Sequence, residues 1–280
     1  MPDRLRVWLL ALDRYEMKLR VSAGRARNSA IIHAAQAYQY SGSLPNYIAE
    51  GHRRRLKNVL TEHYGKVIPH FAAQALAGIR SHRVGHAAAT MVAEAARSWQ
   101  TKSPFEIDFF QLREVKNRTQ VKAVGFEHRM QEWIGREALR KATLIASTDL
   151  DDIRGAIAEG VTGGLGTAEI ASSIRKVSQL TPFRAATVAR TETHAAATFG
   201  SIETVRDAER DLGVVMDKEW LATRDSRTRP EHLAADGQRV ELNEKFTVGG
   251  EVMDRPGDPS ASPANLINCR CSISFEESTT

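Results

Sequence analysis

Apolar residues recur at three- and four-residue spacing along most of the first 212 residues, which is the pattern of helices with one buried face. In the first stretch the apolar face carries Leu5, Leu12 and Leu19. Gly24 predicts a break after this helix, and Pro69 predicts the first turn of a later one. The predicted helices cover residues 3–20, 27–40, from 46, from 69, 105–146, 149–160, 168–179 and 182–212, with a further apolar stripe over 84–99.

The pattern changes after Gly213, where apolar and polar residues begin to alternate as they do in half-buried strands. The predicted strands are Val214–Leu221, Gln238–Leu242, Cys271–Phe275 and a hairpin over Phe246–Val252 that turns at Gly249-Gly250. We therefore predict a mainly α fold. It consists of a long-helix N-terminal body over residues 1–160, a helical part over 161–213 and a small α+β C-terminal domain over 214–280.

Composition adds that the chain has material for a core, since 42% of its 280 residues are hydrophobic. Residues 1–20 carry charges throughout, and no uncharged apolar run approaches the roughly 20 residues that span a bilayer. We expect neither a signal peptide nor a membrane partner. Two cysteines argue against a disulfide scaffold and favour synthesis in a reducing cytosol.

Charge divides the chain into a basic and an acidic half. Residues 1–147 carry 24 Lys and Arg against 12 Asp and Glu, whereas residues 148–280 carry 15 against 22. The basic half suits an acidic partner, although solvated helix faces would show the same balance. The densest basic cluster is Arg53, Arg54, Arg55 and Lys57. Because no base-reading motif accompanies it, we expect any DNA contact there to be with the phosphate backbone; a plain solvated face is the alternative.

Candidate chemistry lies near the end of the chain. Cys269 and Cys271, with His232 and Asp225, form a ligand set that zinc accepts, and alternate residues of a strand point the same way. Two other interpretations stay open. The cysteines are buried free thiols, which we favour, or Cys269, His232 and Asp225 act as nucleophile, base and orienting acid. A disulfide between cysteines two residues apart would be strained.

The same region is also predicted to form a polar lock, in which charge-assisted hydrogen bonds hold the loops of a small domain. Arg190 and Glu192 lie on different faces of helix 182–212, so they should contact different neighbours. The residues of the predicted lock are Arg190, Glu192, Asp225, Arg227, His232, Asn268 and Arg270.

A series of short motifs runs in order through this part of the chain. They are Gly166-Thr167, Glu169-Ile170-Ala171, Ala185, Ala189-Arg190-Thr191-Glu192, Trp220, Asp225-Ser226-Arg227-Thr228-Arg229, His232, Asp236-Gly237, Pro256-Gly257-Asp258-Pro259 and Asn268-Cys269-Arg270-Cys271. In order and spacing they resemble the phage head morphogenesis family, the Mu F-like minor head proteins. The resemblance covers about 110 residues, and residues 1–160 carry no recognised motif.

The resemblance implies a virion protein, made in the host cytoplasm, that acts in head assembly at the portal vertex or inside the capsid. The partners it implies are the portal protein, a capsid or scaffolding protein and phage double-stranded DNA. Some members of this family carry a Cys pair after the Asp-Arg element, which would complete a four-cysteine zinc site. Arg229 and His232 stand in that region here, which leaves only the mixed Asp/His/Cys ligand set.

We therefore predict a structural minor head protein that is not an enzyme and needs no cofactor, zinc at the mixed site being the one exception. The alternative is an enzyme, a nuclease or a transferase, housed in the C-terminal domain and delivered with the DNA. A free DNA-binding protein is a third hypothesis, and it predicts salt-dependent affinity for bulk DNA.

Overall fold

The computed structural model describes residues 2–79, 118–177 and 181–278. Helices take up most of these residues, and the strands among them lie near the C-terminus, so the predicted mainly α fold with a small α+β C-terminal region is confirmed. The predictions for 84–99 and for the first part of helix 105–146 lie outside the described residues. The five longer helices are α1 (Pro2–Ser41), α2 (Asn46–Gly78), α3 (Arg118–Thr162), α4 (Thr167–Lys176) and α5 (Thr181–Leu212).

The C-terminal part follows α5 after a left-handed Gly213 (φ 63°). Its strands form a three-stranded antiparallel sheet in the order β2-β1-β5 and a separate β3-β4 hairpin that turns at Gly249-Gly250. The elements are β1 (Met216–Leu221), α6 (Pro230–Ala234), β2 (Arg239–Glu241), β3 (Phe246–Val248), β4 (Glu251–Met253), α7 (Pro263–Leu266) and β5 (Ser272–Glu277).

Two predicted breaks are wrong, because α1 continues through Gly24 and α2 continues through Pro69. A helical glycine costs about 1 kcal/mol and a helical proline about 3 kcal/mol relative to alanine. Packing outweighs both costs. Ala23 and Ala26 are buried beside Gly24, and apolar side chains on both sides of Pro69 are buried as well.

The division of α3 and the bounds of α4 also differ from prediction. One helix runs from Arg118 to Thr162 where two were predicted, and its glycines do not divide it. Gly166, rather than Thr167, stands at the N-cap of α4. There the Glu169 carboxylate accepts a hydrogen bond from the Gly166 N–H at 2.9 Å.

By its packing the chain forms two compact units. One draws on Met1–Arg14, Tyr64–Glu132 and Arg190–Thr280, and the other on Tyr15–His63 and Trp133–Ala189. Each unit therefore combines stretches that are distant in sequence.

The unit around the middle of α1 has an apolar core formed by residues of α1, α2, α3 and α4. Beside this core lies a buried ionic cluster centred on Asp149. Its carboxylate is 3.0 Å from Nε of Arg27 and 2.8 Å from Nε2 of His52. The core residues are Ile31, Ala34, Ala35, Tyr38, Ile48, Leu150, Ile153, Ile170, Ala171 and Ile174.

In the unit that contains the C-terminus, the second half of α5 packs on the sheet, where Ile202 and Val205 meet Met216 and Phe275. Strand β1 is central, and its alternate residues are buried. One of them is Lys218, whose ammonium lies 3.0 Å from the Asp254 carboxylate. A second apolar cluster, around Trp220, fills the space beneath the hairpin and the final loop.

None of the helices that the structure describes combines the length and the apolar character that crossing a bilayer requires.

Candidate functional site

The two cysteines and His232 meet in the core of the C-terminal domain. His232 Nδ1 lies 3.6 Å from Sγ of Cys269 and 3.4 Å from Sγ of Cys271. His232 is 1% exposed and each cysteine 2%. We call these three residues the His-Cys-Cys cluster. Within the described residues it is the group of three that could hold a metal ion, all its ligand atoms lying within 4.8 Å of one another.

Local sequence explains how each member reaches this position. Pro230 stands at the first turn of the short helix α6, where proline is favoured, and His232 is the buried residue of that helix. Asn268 follows α7 and adopts a left-handed conformation (φ 59°), which asparagine tolerates better than most residues. Cys269 and Cys271 lie in the segment that leads into β5, and both of their sulfurs face Nδ1 of His232.

The cluster is surrounded by apolar side chains. The indole ring of Trp220 contacts the His232 imidazole edge to face, with the ring centroids 5.6 Å apart. Phe246 packs on the same indole at 5.4 Å. Nε2 of His232 is buried and makes no hydrogen bond to the described residues. The cluster thus lies in a largely apolar environment.

The two thiols titrate as a coupled pair. Contact with the Cys271 side chain lowers the pKa of Cys269, and the Gly257 N–H and the charge of Arg229 act in the same direction. Contact with Cys269, together with burial, raises the pKa of Cys271. One proton is therefore lost more readily than the second.

His194, on α5, fixes the backbone of the cluster. Its Nε2–H donates a 2.7 Å hydrogen bond to the carbonyl of Cys271. Burial lowers the pKa of His194 to about 4, so the ring is neutral near neutrality. Gly257 packs against the other side of the ring at φ 74°, and a Cβ there would lie 2.5 Å from Nδ1 of His194. This role of His194 was not predicted from the sequence. The available signal was its spacing of four residues from Arg190, which places both side chains on the same face of the helix.

Residues of the predicted polar lock on α5 contact different neighbours, as expected. Arg190 donates to Oδ1 of Asn268 at 2.8 Å. The Thr191 hydroxyl accepts from the Asn268 N–H at 3.2 Å. Glu192 faces the other way and accepts a 2.7 Å hydrogen bond from the buried Tyr64 hydroxyl. Two of the three interactions hold the left-handed turn before Cys269 against α5.

Asp225 lies outside the His-Cys-Cys cluster, so the structure does not support its place in the predicted metal-ligand set. Its carboxylate instead accepts two hydrogen bonds from Arg270, both 2.6 Å long, and one from the Arg227 N–H at 2.9 Å. The Arg270 guanidinium accordingly holds the pKa of Asp225 well below its usual range. Because Cys269 lies beside His232 but Asp225 does not, a nucleophile-base-acid triad is not formed either.

The basic cluster on α2 is largely solvent-facing. Arg54, Arg55 and Lys57 are exposed, whereas Arg53 pairs with Glu50 at 2.5 Å. The neighbouring His52 points inward to Asp149. Arg54, Arg55 and Lys57 therefore form a solvent-exposed cationic surface on α2.

Comparison with known protein families gives a match over the C-terminal part of the chain. Residues 151–274 match the family model described as Phage Mu protein F like protein. The resemblance to the phage head morphogenesis family that was found in the sequence is therefore confirmed over this range. The matched range contains the His-Cys-Cys cluster and the polar lock, but not the basic cluster on α2.

Two curated relatives share this region. The chain is 32% identical over 127 residues to Minor head protein GP7 of Bacillus phage SPP1, a match that covers 45% of this chain and 40% of the relative. It is 34% identical over 117 residues to NAD(+)–arginine ADP-ribosyltransferase EFV of Enterococcus faecalis, covering 41% of this chain and 23% of the relative. The chain thus spans less than half the length of either relative. No solved structure matches it significantly.

Proposed function

We propose that the chain is a minor head protein that acts as a structural and assembly component of a phage head, at the portal vertex or on the inner capsid side. The observation that supports this most directly is the match of residues 151–274 to the Mu F-like family, together with the similarity to a minor head protein. The portal protein and a capsid or scaffolding protein are the partners that the family suggests.

The C-terminal domain suits a structural role. The reactive side chains of the His-Cys-Cys cluster are at most 2% exposed, so a macromolecular substrate has no access to them. The polar contacts of Arg190, Thr191 and His194 instead join α5 to the loop around Asn268 and Cys271. We infer that they act as a lock that keeps the small domain closed.

Fractionation of lysates from producing cells on a density gradient tests the assembly role. We expect the chain to sediment with proheads and with DNA-filled particles at a few copies each. If it stays in the soluble fraction while other head proteins sediment, the proposed role is wrong.

Contact with packaged DNA is the finer part of the proposal, and it rests on the exposed Arg54, Arg55 and Lys57. Replacing all three by glutamine should weaken binding of the purified chain to double-stranded DNA. The slope of log affinity against log salt should fall by roughly 0.9 for each phosphate that the variant no longer neutralises. The matched control replaces Lys18, Arg20 and Arg25, which are exposed on α1. Equally weakened binding in both triple variants would mean that net charge, not this cluster, binds DNA.

The second candidate is an enzyme in the C-terminal region, a nuclease or a transferase, and the similarity to a bacterial ADP-ribosyltransferase favours it. The two candidates differ in what Cys269→Ala and His232→Ala do. A structural cluster predicts that both variants lower the melting temperature and particle incorporation together. An enzyme predicts that they abolish DNA hydrolysis or NAD⁺ turnover and leave folding and incorporation intact.

A further inference from the structure

The His-Cys-Cys cluster has the composition and spacing of a metal site. We propose that His232 Nδ1, Cys269 Sγ and Cys271 Sγ bind one zinc ion inside the C-terminal domain. The inference concerns the cluster alone and does not depend on the proposed role in head assembly.

The distances between the ligand atoms agree with tetrahedral zinc. Bond lengths of about 2.3 Å to sulfur and about 2.0–2.1 Å to nitrogen, at a tetrahedral angle, separate a sulfur and a nitrogen ligand by about 3.6 Å. The nitrogen of His232 lies 3.6 Å from one sulfur and 3.4 Å from the other. Both sulfur-to-nitrogen distances therefore agree with ligands of one shared ion.

Hydrogen bonding alone explains this convergence poorly. A ring nitrogen carries either one lone pair or one hydrogen, so Nδ1 of His232 can form one good hydrogen bond in its plane. Two thiols nevertheless face it at nearly equal distances. Thiols are weak donors, and the second contact would add little. A cation bound by all three atoms uses every lone pair that points into the centre.

Charge balance also favours zinc. Two thiolates cancel the charge of a divalent ion, and a neutral imidazole adds none, so the complex can lie beside Trp220 and Phe246 without a net buried charge. Thiolate and imidazole ligands suit zinc, whereas magnesium and calcium prefer oxygen.

The chain around the cluster is held in place by groups that are not ligands. Arg270, which lies between the two cysteines, donates two hydrogen bonds to the Asp225 carboxylate. His194 binds the Cys271 carbonyl, and the Thr223 hydroxyl donates to the Arg270 carbonyl at 2.7 Å. These bonds fix the Cys-x-Cys segment, so an ion would meet a largely prearranged pair of sulfurs. Three protein ligands leave the fourth position of a zinc ion for a water molecule.

Metal analysis of the full chain, purified without chelators, tests the proposal. We expect a stoichiometric amount of zinc. Exchange for Co²⁺ should produce visible bands typical of tetrahedral coordination and a near-ultraviolet thiolate-to-cobalt band. If circular dichroism shows that the chain is folded, but it binds neither zinc nor cobalt after reduction and dialysis against each ion, the proposal is wrong. Copper in place of zinc at full occupancy would overturn the choice of metal.

Variants assign the ligands. Cys269→Ser, Cys271→Ser and His232→Gln should each lose most of the bound zinc, and in Cys271→Ser the cobalt-thiolate band should fall by more than half because less metal binds and one of the two thiolates is gone. The matched control is Glu244→Gln, at an exposed residue of the same domain that lies outside the cluster, and this variant should keep its zinc. Full zinc in any of the three ligand variants, or its loss in Glu244→Gln, would contradict this ligand set. If a ligand variant fails to fold, the spectrum of the cobalt-loaded wild type still shows whether thiolates bind the metal.

Discussion

Gly200 of α5 lies where that helix closely approaches the backbone of α2, which makes it a sharp test of the packing. A Cβ built at this position would lie 2.5 Å from the Ile68 carbonyl oxygen and 3.1 Å from its carbonyl carbon. Both neighbours are backbone atoms, so no side-chain rotation relieves the overlap. Helix propensity and packing consequently predict opposite effects of Gly200→Ala.

The magnitudes decide the sign. Propensity alone would stabilise the variant by up to about 1 kcal/mol. Overpacking a filled interior costs about 1–3 kcal/mol, and the rigid partner here favours the upper part of that range. We therefore expect Gly200→Ala to lower the free energy of unfolding by about 1–2 kcal/mol, the cost of overpacking less the gain in propensity.

Urea denaturation followed by circular dichroism measures this change, and a thermal scan should show a melting temperature a few degrees lower. Gly155→Ala is the matched control, since this exposed glycine lies inside α3 and a Cβ there would meet nothing within 4 Å. The control should gain stability by up to about 1 kcal/mol. If Gly200→Ala is as stable as wild type while the control is stabilised, the close approach of α5 and α2 is not as tight as described.

Two further predictions concern buried polar groups of the unit that contains the C-terminus. Tyr64→Phe removes the hydroxyl that donates to the buried Glu192 and should cost about 2 kcal/mol in urea denaturation, whereas Tyr47→Phe, at a residue 68% exposed, should cost nothing measurable. Burial, with the charges of His232 and Arg255, lowers the pKa of His194 from 6.5 to about 4, so the unfolded chain binds the extra proton between these values and stability falls as the pH drops. From about pH 7 to about pH 5 this should remove about 2 kcal/mol. His194→Gln should lack that part of the pH dependence, and an unchanged pH profile would refute it.

Much of the fold was predictable because its signals are local. Thr181-Pro182 and Gly213 mark the two ends of α5 correctly, since proline suits the first helical turn and glycine suits the residue after the last. The alternation after Gly213 predicted the strands to within a few residues, and Gly249-Gly250 predicted the hairpin turn. Each of these features depends on the conformational preferences of a few consecutive residues.

Local signals failed where packing opposed them. Gly24 and Pro69 carry the usual marks of a helix break or start, yet both lie inside long helices. Their neighbours are buried on the inner faces of α1 and α2. The free energy gained by that burial exceeds the free energy lost with one or two helical hydrogen bonds. The sequence does not show which surface a helix will pack against.

The candidate site shows the same division. The sequence alone determined the residue types: two cysteines separated by one residue, a histidine and an asparagine, a combination that zinc or a polar lock can use. Tertiary structure decided that His232 joins the sulfurs, that Asp225 pairs with Arg270 instead, and that His194 holds Cys271 from 77 residues away. Contacts at that separation depend on how α5 and the final loop pack together, whereas the local pattern encodes only what each segment prefers by itself.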